Sequence, residues 1–262
     1  MLRPRAHPPL ALVLAALAVA AAPRPAPARE GGRTLAVAAA ASLKTAAEEL
    51  ERAFEAERPG VDLVLTLGAS GQLFARIRNG APFDLFLSAD REYPAKLVEA
   101  RLGADERVYA VGRLAAWTPP GSGLDLERRG LAALADPAVR RVAIANPATA
   151  PFGRAAEAAL RAAGVHEAVR EKLVLGASAG QAAQFATTGA ADVALLPYSL
   201  TFEDALSGGR VTLVPEALHP RIEQSGVVLA AARAPDLARA FLAFLAGEKG
   251  RAILAKYGYG PH

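Results

Sequence analysis

The sequence predicts an α/β protein of two lobes, each a mixed, mostly parallel sheet flanked by helices, with two crossover strands joining them. Three observations predict it. Short apolar runs alternate with stretches of helical periodicity, the rhythm of βα units on a parallel sheet. The rhythm runs three times, halts at Pro119-Pro-Gly-Ser-Gly, and then starts again. Long apolar segments over 107–117 and 225–231 stand where one block gives way to the other.

In chain order, a strand over 34–39 leads to a helix over 42–57, with Ala47, Leu50 and Phe54 at helical spacing. Arg58-Pro-Gly60 ends that helix. A second strand, 61–67, precedes a helix that starts at Ser70 and stops at Asn79-Gly80. Residues 83–88 are almost all apolar, as befits a strand buried on both faces, and a helix over 91–100 follows. The strand over 107–117 then leads into the second block. There the pattern predicts a helix over 126–134, a strand over 142–145, helices over 152–163 and 166–172, and a strand over 173–175. A helix over 179–188, strands over 192–196 and 211–214, the second long strand at 225–231, and helices over 237–246 and 251–256 complete it. The expected division is lobe I at 29–112 and 227–262, and lobe II at 113–226.

The first residues read differently. Arg3 and Arg5 precede an apolar run of 13 residues from Leu10 to Ala22, and Pro23-Arg-Pro-Ala-Pro-Ala28 follows. That is the build of a secretory signal peptide over 1–28, with cleavage after Ala28 favoured over Ala22, which Pro23 would follow. No later segment reaches the roughly 18 uninterrupted apolar residues that a membrane span requires. The expected product is exported and soluble. Losing 28 residues removes three arginines and no acid, which takes the formal charge from +4 to +1 and leaves 234 residues. A nearly balanced surface advertises neither nucleic acid nor membrane as a partner. The chain has no cysteine, which excludes disulfides, thiol catalysis, cysteine metal sites and a lipid anchor on the signal. His166, His219 and His262 lack ligand spacing. Alanine-rich runs follow the overall composition and carry no specific message.

Four strand-to-helix junctions carry the chemistry. Ser42 and Ser70 each stand where an apolar strand gives way to a helix. There a hydroxyl lies beside unpaired N–H groups and the positive end of the helix dipole. In the second block, Asn146-Pro-Ala-Thr-Ala-Pro151-Phe152-Gly153 enters a helix with Pro151 suited to its first turn, leaving the Phe152 and Gly153 N–H groups free. Leu175-Gly-Ala-Ser178-Ala179 is the fourth junction. Taken singly, the serines are explained as N-caps. Together the four can face one small anion across a cleft, because ligands of open α/β sheets bind where strands end and helices begin.

The residues Ala39-Ala-Ala-Ser42-Leu, Gly80-Ala-Pro-Phe-Asp-Leu-Phe-Leu-Ser-Ala-Asp90, Asn146-Pro-x-x-x-Pro-Phe-Gly-Arg-Ala and Phe244-Leu-Ala-Gly-Glu-Lys-Gly-Arg carry a resemblance. The chain resembles the periplasmic molybdate-binding proteins of molybdate ABC transporters, which have the type II periplasmic-binding-protein fold. The resemblance implies that Ser42 and Ser70 contact the oxyanion by hydroxyl and N–H, and that Phe152 and Ala179 contribute backbone N–H groups. Some family members add a tyrosine hydroxyl after the last lobe-II strand. This sequence has Pro197 there and Tyr198 one residue later, which makes Tyr198 the candidate for a fifth contact. The resemblance also implies molybdate as ligand, bound as an oxyanion and not as a metal cation, no cofactor, a membrane ABC permease as partner, and a monomer.

The residue chemistry favours binding over turnover. A fully ionised tetrahedral oxyanion has only acceptors, so a site of donors suits it, whereas protonated phosphate would want a carboxylate. Asp84 and Asp90 read as structural or rim residues. Lys44, Arg76 and Arg154 read as solvent or rim residues able to steer anions. Tungstate and sulfate remain alternative ligands. An organic-acid dehydratase would need a general acid and base in the cleft, and a ferric-ion receptor would need paired tyrosines there.

Overall fold

The computed structural model describes residues 33–262, so the expected signal peptide lies outside the described residues. The elements are β1 (Arg33–Ala40), α1 (Lys44–Glu57), β2 (Val61–Gly68), α2 (Ser70–Arg78), β3 (Leu85–Ser88), α3 (Glu92–Glu99) and β4 (Gly103–Gly112). After them come β5 (Leu114–Thr118), α4 (Leu126–Arg129), β6 (Val142–Ala145), α5 (Pro151–Ala162), α6 (His166–Val169), β7 (Leu173–Gly176), α7 (Ala179–Thr187) and β8 (Val193–Pro197). The last are β9 (Arg210–Leu213), β10 (Ile222–Leu229), α8 (Pro235–Ala246) and α9 (Glu248–Lys256).

Two five-stranded sheets result, in the orders β2-β1-β3-β10-β4 and β7-β6-β8-β5-β9. In each sheet four strands run one way, and the fifth is antiparallel to both neighbours. The odd strand is β10 in the first sheet and β5 in the second, each the strand by which the chain arrives from the other lobe. The expected mixed, mostly parallel two-sheet architecture is therefore what the chain forms. Helices cover both faces of each sheet, as the nearly continuous apolar strands require. Leu35, Val37, Leu85 and Leu87 pack with Leu50, Phe54 and Phe241 on one face of the first sheet, while Phe86 and Val227 pack with Leu73 and Leu97 on the other.

The crossovers differ from expectation. The segment over 107–117 is two strands: β4 ends at Gly112 in the first sheet, and β5 starts at Leu114 in the second. A Cβ at Gly112 would lie 2.7 Å from both Phe152 Cζ and Gln224 Nε2, so the chain passes between lobes at a residue with no side chain. The return strand belongs to the first sheet from Ile222, opposite Gly112, ahead of the boundary expected at 226/227. The helix expected over 126–134 stops at Arg129 and continues as a 3-10 turn, because Gly130 adopts φ 55°. Residues 166–172 likewise divide into α6 and a 3-10 turn.

Candidate functional site

The carboxyl ends of β1, β2, β6 and β7 each feed a helical start, and all four starts meet at one cavity. Its lining comes from Ala40, Ala41 and Ser42 after β1, Gly68, Ala69 and Ser70 after β2, and Ala89 after β3. Lobe II contributes Ala150, Pro151 and Phe152 at the head of α5, and Ala179 at the head of α7. About 10 Å3 is open to the centre of a water-sized sphere. Adding that sphere's own radius gives an envelope roughly 2.7 Å in radius, the scale of one tetrahedral oxyanion. No charged side chain lines it.

Neither serine is an N-cap. The caps are Ala40 for the 3-10 turn Ala41–Leu43 and Ala69 for α2, and neither offers a side-chain bond. Ala150 caps α5 in the same bare fashion. Of the four helical starts at the cavity, α7 alone is capped by a side chain, Ser178 Oγ accepting from Gln181 N at 3.3 Å. First-turn N–H groups have no partner inside their own helix, so bare caps leave donors at these starts, Gly71 N of α2 being spent on Thr149 O. Both serines are 1% exposed. Ser70 Oγ accepts from Ala89 N at 3.0 Å and keeps its proton for another acceptor. Ser42 Oγ donates to Gln224 Oε1 at 3.3 Å. The Ser42 carbonyl accepts from both Ser199 Oγ and Tyr259 OH at 2.7 Å, which fixes its turn. Burial pushes the Tyr259 phenol up to about 12, so it remains a donor at neutral pH.

Two of the charges nearest the junctions are paired with acids, and the third lies over an aromatic ring. Arg154, on the first turn of α5, makes a salt bridge with Asp90 of lobe I, lies 3.3 Å from Glu92, and donates to Tyr93 OH at 3.4 Å. Lys44 pairs with Glu203 at 2.7 Å across the lobes. Arg76 stacks its guanidinium 5.3 Å from the Phe83 ring centre. Asp90 is held above its ordinary value, burial outweighing its bonds to Ser88 and Tyr93 and the charge of Arg154. Asp84 accepts from Ala36 N at 2.8 Å, and from Arg233 N and Ala234 N at 2.6 and 3.0 Å, so it ties β1 to the loop before α8. Besides these pairs the lobes share a backbone bond, Gly71 N to Thr149 O at 2.8 Å.

The sequence matches the family described as "Bacterial extracellular solute-binding protein" over residues 35–260. The chain belongs to that family. It is 35% identical to the molybdate-binding protein ModA of Azotobacter vinelandii over 227 residues, 86% of this chain and 88% of that protein. It is 37% identical to ModA of Rhodobacter capsulatus over 224 residues, 85% and 86% of the two chains. The solved periplasmic molybdate-binding protein of Azotobacter vinelandii superposes with a TM-score of 0.79 at 29% identity, over 86% of this chain and 98% of that one.

In this solute-binding protein, then, Ser42, Ser70, Phe152 and Ala179 come together at one cavity. Tyr198 does not join them. It opens the 3-10 turn Tyr198–Phe202 after β8, and its ring packs edge-on to Phe202 at 5.2 Å and under Arg113 at 5.3 Å. Gly258 sits against the same ring. The Pro197 strand end pairs with Leu114, and the next residue is turned into the hinge. Sequence reasoning missed three groups around the site: Gln224, Ser199 and Tyr259. It also missed five alanines, since Ala40, Ala41, Ala69, Ala89 and Ala150 wall the cavity beside the expected Ala179. Their spacing just before and after the junctions was the available signal, and the alanine-rich composition masked it. Among the described residues, no cluster of acidic and histidine side chains is placed to hold a metal ion.

Proposed function

We propose that this solute-binding protein is an extracytoplasmic receptor that captures molybdate between its lobes and delivers it to an ABC permease. One observation carries the reading: two serine hydroxyls and four helical starts, drawn from both lobes, converge on an oxyanion-sized cavity with no ionisable lining. Such a site offers several donors and no carboxylate. It accepts a fully ionised tetrahedral dianion and gives no carboxylate acceptor to the proton of a hydrogen phosphate. The relatives named as molybdate-binding proteins support the choice of anion. The signal-like first 28 residues support action outside the cytoplasm.

The same lining speaks against turnover, because no carboxylate, histidine or lysine stands at the cavity to move a proton. It also speaks against ferric ion, which calls for anionic oxygen ligands. The ligand contacts are Ser42, Ser70, Phe152 and Ala179, with no cofactor, and one monomer binds one anion. Titration calorimetry with molybdate, tungstate, sulfate and phosphate tests this. The expected result is one molybdate per chain, tungstate comparable, sulfate weaker, and no phosphate. Preference for phosphate, or no binding of any of the four, would falsify the reading.

A further inference from the structure

Ser42 and Ser70 are not equivalent in their hydrogen bonding. Ser70 uses a lone pair toward Ala89 N and retains its proton. Ser42 has one proton, and it goes to Gln224 Oε1 at 3.3 Å. Gln224 is 0% exposed, on β10, where the pairing with β4 slips register between Gln224 and Ser225. A bulge of that kind re-aims a side chain out of the regular pleat. The Gln224 Nε2 donates to Ala89 O at 3.4 Å, which fixes the end of the amide that faces Ser42. Turning the amide over would set its oxygen against a carbonyl oxygen. The missing side chain at Gly112 makes the room, since a Cβ there would lie 2.7 Å from Nε2. One side chain thus reaches Ser42 directly, and Ser70 through Ala89.

We propose that Gln224 is a positioning residue of the anion site that acts through Ser42: its amide oxygen holds the Ser42 proton, and an arriving oxyanion has to take that proton from it. The proposal rests on the oxyanion-receptor reading above. When the Ser42 hydroxyl turns to the anion, Gln224 Oε1 loses that donor in a fully buried setting, and an unpartnered buried acceptor is costly. Gln224 therefore holds affinity below what the two serines alone would give, which suits a receptor that has to surrender its cargo.

The test is a double-mutant cycle by titration calorimetry with molybdate on the wild-type protein, Gln224→Met, Ser42→Ala and the double variant. Gln224→Met keeps the length and removes the acceptor. It is expected to bind roughly three- to tenfold tighter than wild type, the worth of one neutral hydrogen bond. In the Ser42→Ala background the same change is expected to have no effect, whereas a general structural role would shift affinity alike in both. Gln224→Glu is the second variant. Its carboxylate grips the Ser42 proton harder and sets a negative charge beside the anion, so binding is lost at about pH 8 and returns toward about pH 5 as the buried carboxyl protonates. Unchanged or weaker binding by Gln224→Met, or equal shifts in both backgrounds, overturns the proposal. Should Gln224→Met fail to fold, a flat pH profile for Gln224→Glu overturns it. Failure of the wild-type protein itself to bind oxyanions is a separate result and removes the receptor reading, with this proposal along with it.

Discussion

Gly71→Ala should strengthen the fold and weaken binding. Gly71 is the second residue of α2, and a methyl there is favoured over hydrogen by up to about 1 kcal/mol in helix propensity. Across the cleft the same methyl would stand 2.8 Å from Thr149 O and 3.0 Å from Thr149 Cα, and 2.5 Å from Tyr93 OH within lobe I. The tyrosine hydroxyl is the end of a side chain and can swing. The Thr149 backbone moves only if lobe II moves, and ordinary contact requires it to retreat by roughly half an ångström. Overpacking of that kind costs about 1–3 kcal/mol, and loosening the Gly71–Thr149 hydrogen bond adds about 0.5–1.5 kcal/mol. If closure is coupled to binding, the dissociation constant for molybdate rises about ten- to thousandfold. Titration calorimetry reads the affinity, and thermal melting without ligand reads the fold. Wild-type affinity in a variant that melts no lower would show that the lobes need not meet at this contact, and would refute the argument.

Ser70→Ala removes a hydrogen bond to a charged ligand and orphans Ala89 N, so it should weaken molybdate binding about ten- to a hundredfold; Ser42→Ala should cost less, because Gln224 already competes for its proton. Equal losses from the two, measured by calorimetry, would contradict that ranking. Tyr198→Phe should leave the dissociation constant unchanged, since its ring is engaged at the hinge with Phe202 and Arg113; weakened binding would restore the tyrosine as a ligand. Affinity should be nearly flat from about pH 5 to 9, because no side chain lining the cavity titrates there, and a sharp mid-range transition in calorimetric titrations would point to a charged contact. Asp90 is a separate matter. Burial holds its carboxyl above the ordinary 3.8, so its contribution to stability is full below that value and is lost as pH rises through the raised one. Asp90→Asn should flatten that part of the urea-melt stability curve above about pH 4, and a curve of wild-type slope would count against it.

The junctions were legible because strand ends, glycines and serines are local signals. Ser42, Ser70, Phe152 and Ala179 each sit within a few residues of an apolar run that ends, so one window of sequence reveals each of them. Their convergence followed from the topology rule that ligands bind at the carboxyl ends of strands. Gln224 could not be read this way. It lies 182 residues from Ser42 in sequence, in the polar start of β10 just ahead of the apolar run expected over 225–231. Ser199 and Tyr259 reach the Ser42 carbonyl over separations of 157 and 217 residues. The split of the first crossover was hidden for another reason: Gly112 is one glycine in an apolar run, and only the packing of Phe152 and Gln224 against it shows why the strand has to end there. For Tyr198, a resemblance fixes only the position along the chain, while the direction of its side chain depends on the turn that follows β8.

The pairing of Arg154 separates two jobs that a cationic site would combine. A free guanidinium in the cavity would attract a dianion strongly, but it would stay behind, desolvated and unpartnered, each time the anion left closed lobes. Here Arg154 is committed to Asp90 and Glu92, and these contacts run from lobe II to lobe I. Its charge therefore helps hold the lobes together and adds nothing to the cavity lining. The anion is left to the first-turn N–H groups of the helical starts and to two hydroxyls, whose partial charges cost little when the cavity is vacated. Ser199 makes the same division on the hinge side: its hydroxyl, from lobe II, anchors the Ser42 carbonyl and so fixes the turn that carries the Ser42 hydroxyl. Closure thus sets the geometry of the binding turn, and occupancy of that turn favours closure. Lobe approach and anion affinity are then one linked equilibrium, so a variant that disturbs the interlobe contact at Thr149, as Gly71→Ala does, should weaken binding without removing a ligand contact.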